Sequence, residues 1–521
     1  MPVQVQSATL DGIEGCLLQV EVDILSLLPS FQVVGLPHSS VREARERVRS
    51  AIRSSDLPFP RRRITVNLAP ADRPKGGTGL DLPIALGVVA AAWNATHDRK
   101  AWGPPPFALG ELGLDGRVRP IRGVLPLVEA ARTAGVERVV VPLANAREAA
   151  LVPEIEVLPV ESLQEAWSVA RGAAARVCPL AATPPSLPPS LPDLREVRGL
   201  SWGRRVLEVA AAGGHGLLLE GPPGSGKSML AKRLPSLLPD LPDPLALEVT
   251  RVRSSAGLLE TREGLVRRPP LRAPHHTASV AAMVGGGRPV RPGEITLAHG
   301  GVLLLDEVAE FPRSLLEALR QPLQDGSVLV ARREGVLLFP ADFQLAATRN
   351  PCPCGMLGRE DLLCTCSPSA REKYNRRLSG PLLDRIELVA WIEAEPVRLL
   401  FSKGQGEDSA SVRRRVTAAR ETRLDRERES GPDEGQRPRL LESAARREME
   451  LALTKTRPSG RAVEQLLSVA TTLHDLDGSV SVSSTHVQEA LLLCNPHRGR
   501  PPALPDSPSP ATITPSPRST P

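Results

Sequence analysis

Three groups of residues have the types and spacing to do chemistry. The first is Gly221-Pro-Pro-Gly-Ser-Gly-Lys227-Ser228, which fits G-x-x-x-x-G-K-[ST] at every fixed position. Glycines free such a loop to curl so that successive N–H groups face phosphate oxygens. Lys227 adds a cation for the β and γ oxygens, and the Ser228 hydroxyl suits Mg²⁺. The motif therefore implies ATP and Mg²⁺, with Gly221, Pro222, Pro223, Gly224, Ser225, Gly226, Lys227 and Ser228 as the nucleotide cradle. The second group is Asp306-Glu307. An acidic pair just beyond an apolar strand can hold the Mg²⁺ water shell through Asp306 and polarise the attacking water through Glu307. The third is Cys352-x-Cys354 with Cys364-x-Cys366. Four thiolates can close a tetrahedral Zn²⁺ site, although C-x-C is tighter than the usual C-x₂₋₄-C, and four reduced thiols on a loop are the alternative.

Each group needs an element to position it. Gly216-Leu-Leu-Leu-Glu220 before the loop and Val302-Leu-Leu-Leu305 before the acidic pair are short apolar runs of the kind that buried parallel strands show. Met229 to Leu234 continues the first group as a helix, and Phe343 to Thr348 reads as the next strand, ending at Asn350. Gly326 to Leu338 reads as a β-hairpin with Arg332 and Arg333 near its tip. His275-His276 invite a metal or base assignment, but neighbours on a strand point to opposite faces, so an interface or structural role is expected. Val463 to Thr472 and Ser484 to Leu493 are apolar-periodic helices of a helical C-terminal region.

Upstream, residues 1–175 form an α/β or α+β unit. Val20–Ile24, Arg63–Leu68 and Arg138–Pro142 read as strands, Ser39–Ile52 as an amphipathic helix and Leu80–Trp93 as a buried one. Residues 176–195 are a Pro-rich linker that favours extended backbone. Residues 196–395 carry the nucleotide motifs, 396–498 read as a helical C-terminal region, and 499–521 are a Pro/Ser/Thr-rich tail expected to be disordered.

The 521 residues allow about three or four domains. Aromatics make up 2%, which argues against a reader that stacks RNA bases on Phe and Tyr. The net charge of +6 and pI near 9.1 permit a polyanionic partner but give weak support, because Arg-rich proteomes share them. Seven cysteines in so long a chain are no disulfide framework. Without an apolar span or a leader pattern, a cytoplasmic protein with no membrane partner is expected.

Several stretches carry a resemblance. Phe31-Gln-Val-Val-Gly-Leu-Pro37, Asp81-Leu-Pro-Ile-Ala-Leu86, Leu109-Gly-Glu-Leu-Gly-Leu-Asp-Gly116, Arg272-Ala-Pro-His-His-Thr277, Asn350-Pro-Cys-Pro-Cys-Gly355 and Leu378-Ser-Gly-Pro-Leu-Leu-Asp-Arg385 resemble the ComM/YifB family of Mg-chelatase-like AAA+ ATPases. The resemblance implies an α/β fold: an AAA+ P-loop core, its parallel sheet flanked by helices, with a helical lid, preceded by a Lon-protease-like α/β domain. It puts Gly79 where a Lon-type serine would stand and Leu125 where its lysine would stand, so the domain is expected to be non-proteolytic.

The same resemblance implies that Asn350 is sensor 1, that Arg385 is an arginine finger with Arg377 as its rival, and that Arg461 is sensor 2. It further implies a hexameric ring whose hairpin, through Arg332 and Arg333, touches DNA phosphates. The activity it implies is a DNA helicase or translocase that promotes branch migration in recombination during natural transformation. A chelatase-type motor driving Mg²⁺ into a porphyrin and a protein-remodelling ATPase are the alternatives. Three positions depart from the family pattern: Leu200, which bears on the adenine pocket, Gly300 and Arg349.

Overall fold

The computed structural model describes residues 2–36, 39–71, 75–95, 106–176, 191–260, 264–287, 290–332, 335–358, 363–395, 406–430, 437, 440–456 and 459–494. Most of the linker, the whole C-terminal tail and Arg333 therefore lie outside the described residues. The chain divides into two compact units that do not follow sequence order. One comprises Met1–Leu191, Pro239–Leu304 and Phe311–Gln344, and the other Pro192–Leu238, Leu305–Glu310 and Leu345–Pro521.

In the first unit a four-stranded sheet runs in the order Val3–Asp11, Glu14–Leu25, Arg63–Ala69, Ser30–Val34. The period-2 rule is visible in the third of these strands, where Ile64, Val66 and Leu68 are buried and the residues between them are not. Helix Asp81–Asn94 is apolar on every side and accordingly buried nearly all round, with Leu82, Ile84, Leu86, Val88 and Val89 in the core. A second, parallel sheet joins Phe107–Ala108, Arg138–Pro142 and Glu156–Val160.

Helix Asp243–Ala256, from the middle of the chain, belongs to this same unit. It packs on helix Val124–Thr133, and Arg251 makes a two-pronged pair with Glu129 at 2.8 and 3.1 Å. Leu125 is fully buried and its N–H donates to Glu148, while the Gly79 carbonyl accepts the Gly110 N–H. Hairpin strands Ser327–Arg332 and Gly335–Pro340 pair antiparallel as expected.

His275 and His276 correct the sequence reading. They lie in a turn rather than on a strand, so they need not alternate, and their rings meet tilted at 34° with centroids 4.1 Å apart.

The nucleotide motifs belong to a five-stranded sheet with the order Leu271–Arg272, Val302–Leu305, Gln344–Arg349, Leu217–Glu220, Leu388–Trp391. Leu217–Glu220 pairs parallel with both of its neighbours. Leu217, Leu218, Leu219 and all of Val302–Leu305 are buried, as expected of strands covered on both faces. The second unit adds helices Ser201–Gly213, Ser409–Ser430, Gly460–Asp477 and Ser484–Cys494. The helix after the phosphate loop is shorter than the sequence suggests: Lys227–Ala231, an interruption, then Leu234–Leu237. No described helix is long and apolar enough to cross a membrane.

Candidate functional site

The phosphate loop turns out of the buried strand Leu217–Glu220 at its carboxyl end, where open parallel sheets present their ligand sites. Gly226 occupies φ +88°, and a Cβ there would come within 2.8 Å of Leu200 Cδ1, so only glycine satisfies both the turn and the packing. Leu200 also takes a left-handed conformation, φ 51°, and its N–H donates to Glu395, which fixes the start of helix Ser201–Gly213. The Lys227 ammonium donates to the carbonyls of Gly221 at 2.9 Å and Pro222 at 2.7 Å. Burial lowers its pKa, opposed by the charges of Asp306 and Glu307.

One hydrogen-bonded chain joins the two acidic and hydroxyl motifs. Ser228 Oγ donates to Asp306 Oδ1 at 2.6 Å, Thr348 Oγ1 donates to the same oxygen at 2.5 Å, and the Glu307 N–H donates to Thr348 Oγ1 at 2.9 Å. Thr348, only 1% exposed, is the member that sequence reasoning missed. Its signal was its place, two positions before Asn350 on the strand beside Val302–Leu305. Glu307 sits at φ 54°, a conformation uncommon outside glycine, and stays exposed just past the strand end. The Thr348 hydroxyl anchors that turn by taking the Glu307 N–H.

Asn350 follows the same strand and is half-buried. Before it, Arg349 forms a largely buried pair with Glu220 at 2.7 Å, joining the ends of two adjacent strands. Desolvation raises the Glu220 pKa and Arg349 opposes the shift. The other expected arginines are dispersed. Arg385 is half-buried and donates to the Pro381 carbonyl at 2.6 Å, within its own turn. Arg377 is exposed and holds the Ala309 carbonyl at 2.6 Å and Glu310 at 3.0 Å, just beyond the acidic pair. Arg461 opens helix Gly460–Asp477 on its exposed side, and its charge opposes the burial that raises the Glu387 pKa. Arg332 lies at the hairpin end of its strand.

Cys352, Cys354, Cys364 and Cys366 do come together. Their sulfur atoms all lie within 4.8 Å of one another, and all four are free thiols. The Met356 N–H draws the Cys354 thiol down to about 5. For Cys366 the Cys354 N–H favours the thiolate, yet desolvation and the neighbouring sulfurs outweigh it and push the thiol up to about 12.

A P-loop at the carboxyl end of a parallel sheet, with a hydroxyl and two carboxylates gathered beside it, defines a nucleotide-binding α/β protein with a helical appendage. Family models agree: "Magnesium chelatase, subunit ChlI" matches residues 193–399, "Subunit ChlI of Mg-chelatase" residues 20–145, and "Magnesium chelatase, subunit ChlI C-terminal" residues 406–493. An uncharacterised protein of Mycobacterium tuberculosis is 44% identical over 93% of this chain and 97% of its own length. YifB of Escherichia coli is 40% identical (92% and 94%), and the competence protein ComM of Haemophilus influenzae 39% (92% and 95%). The chain belongs to the ComM/YifB family of Mg-chelatase-like AAA+ ATPases.

Proposed function

We propose that this chain is the ATP-hydrolysing subunit of a cytoplasmic ring motor, a hexamer, that translocates on DNA and promotes branch migration in recombination during natural transformation. The observation that carries the ATPase part is the chain Ser228–Asp306–Thr348–Glu307, which gathers a metal-side hydroxyl, a metal-side carboxylate and a water-polarising carboxylate beside the phosphate loop. In this reading Ser228 and Asp306 hold Mg²⁺ and its water shell, while Lys227 and the loop N–H groups take the phosphates. Glu307 polarises the attacking water, which Asn350 orients. Arg385 enters the site of a neighbouring subunit as a finger, and Arg461 acts from the lid as sensor 2. The four cysteines hold Zn²⁺.

The DNA part is supported by the likeness to a relative named as a competence protein and by the adjacent basic residues Arg332 and Arg333 in the sequence, of which Arg332 ends its hairpin strand. The proposed division is a non-proteolytic Lon-like domain at 1–175, a linker at 176–195, the ATPase core at 196–395, the lid at 396–498 and a tail at 499–521. A chelatase-type motor is the second reading, favoured by the subunit named in the matching family models.

The test is the ATPase rate with and without branched and single-stranded DNA. DNA stimulation that disappears in Arg332→Ala with Arg333→Ala, while basal turnover survives, supports the motor on DNA. A rate indifferent to DNA shifts weight to the chelatase-type or protein-remodelling readings.

A further inference from the structure

The four-cysteine cluster is built like a metal centre and stands against the nucleotide loop. Cys352 lies 3.4 Å from Cys354 and 3.6 Å from Cys364, and Cys354 lies 3.6 Å from Cys364, sulfur to sulfur. A disulfide would need about 2.0 Å. A tetrahedron with Zn–S bonds of about 2.3 Å has edges of about 3.8 Å, close to the spacing seen. The Cys354 N–H donates to Cys366 Sγ at 3.3 Å, one of the backbone contacts that orient a thiolate ligand. Among the described residues from 350 to 366 there is neither helix nor strand, so the sulfurs themselves are the natural tie of this segment.

Two glycines set where the segment rests. Gly355, at φ +78°, closes a turn by donating its N–H to the Cys352 carbonyl at 3.0 Å. A Cβ on it would lie 2.5 Å from Pro223 Cγ, so the turn sits directly on the phosphate loop. Gly358, at φ +86°, meets Trp391, the last residue of the strand on the other side of Leu217–Glu220, at 3.1 Å from a built Cβ. The segment also begins immediately after Asn350, which follows the strand whose Thr348 holds Asp306 and the Glu307 turn. A single ion on these sulfurs would therefore fix a turn whose neighbours are Pro223, Trp391 and Asn350.

We propose that a thiolate-bound divalent ion of the zinc class at Cys352, Cys354, Cys364 and Cys366 is a brace for the nucleotide site, holding the phosphate loop and Asn350 through the Gly355–Pro223 contact. This rests on the metal reading of the cluster given above, and it makes metal occupancy a condition of tight nucleotide binding. Soft sulfur donors in a tetrahedral set select such an ion over Mg²⁺, so the two metal sites do not compete.

The test uses the full chain and no DNA, so a failure of the DNA reading leaves it untouched. Elemental analysis of the purified protein is expected to find one zinc per chain, and none in Cys364→Ser with Cys366→Ser. Cobalt substitution is expected to give the absorption of a tetrahedral tetrathiolate. Equilibrium binding of a fluorescent ATP analogue, read without turnover, is expected to weaken roughly tenfold or more on chelation, the scale on which a misplaced positioning group acts. Zinc should restore it in the wild type only. Hydrogen exchange of residues 221–228 should rise with metal removal.

Gly355→Ala should keep its zinc and still bind the analogue more weakly. Absence of zinc overturns the proposal. So does unchanged nucleotide affinity and exchange after metal removal, or wild-type affinity in Gly355→Ala. If the double cysteine variant does not fold, reversible chelation of the wild type decides.

Discussion

The N-terminal part of the chain and the phosphate-loop region both gather polar side chains, and they use them in opposite ways. In the first, two core carboxylates close on protein partners. The Asp81 carboxylate takes two Arg47 donors at 2.6 and 3.0 Å and the Leu112 N–H at 3.3 Å. Glu148 takes the Leu125 N–H at 2.9 Å, the Asn145 amide at 3.1 Å and the Ser254 hydroxyl. At the phosphate loop the polar chain is anchored from below by buried Thr348 and ends upward in half-buried Ser228 and Asp306 and exposed Glu307. A network closed on itself specifies a fold, whereas one left open at the carboxyl ends of parallel strands is equipped for a ligand.

That contrast is breakable by mutation. The largest effect on stability is expected at the closed network: Glu148→Ala leaves three donors without their acceptor and should cost on the order of 3 kcal/mol or more. Denaturant unfolding would show it, with ATP affinity of the folded fraction unchanged. A loss of ATP affinity in the folded fraction would erase the distinction.

Thr348→Val keeps the shape of the anchor and removes its hydroxyl. It should lower kcat roughly 10- to 100-fold, the kinetic equivalent of about 1–3 kcal/mol for an unsatisfied buried group. Melting should fall as well, because the Glu307 N–H loses its acceptor in the folded state. A variant with wild-type turnover would show that Thr348 does not position Glu307.

A pH-dependent effect, small near neutral pH, is expected at His215, which is buried against Thr472 at 2.9 Å. Burial, aided by Arg423, Arg437 and Arg420, lowers its pKa from 6.5 to about 3. The unfolded chain therefore takes up the proton first as pH falls below about 6.5. Stability is lost in that direction, by at most about 1.4 kcal/mol per pH unit down to about pH 3. His215→Gln should flatten the slope of unfolding free energy against pH across that window. An unchanged slope would assign acid sensitivity to other groups.

The sequence made the strands and the motifs legible because both follow from local rules. Alternation marked Arg63–Ala69, continuous apolar runs marked Leu217–Glu220 and Val302–Leu305, and the loop spacing marked Lys227 and Ser228. What escaped depends on long-range partners. Thr348 is one polar residue in an apolar strand, and only the strand order puts its hydroxyl on Asp306. The left-handed turn at Glu307 has no local signature, because glycine is the usual residue there.

His275 and His276 were read as pointing to opposite faces because a strand was assumed where the chain turns, and their rings in fact meet. Arg349, noted only as a departure from a family pattern, finds its reason in Glu220 across the sheet. The union of helix Asp243–Ala256 with the N-terminal sheets in one unit is likewise invisible to any local reading.

The most direct measurement is nucleotide binding and single-turnover ATP hydrolysis by Glu307→Gln beside the wild type. The substitution keeps the size of the side chain and the N–H that Thr348 accepts, and removes only the carboxylate base. Retained ATP affinity with hydrolysis slowed by about 10²-fold or more is the expected result. Hydrolysis at the wild-type rate would contradict the assignment of this open cluster as the hydrolytic centre.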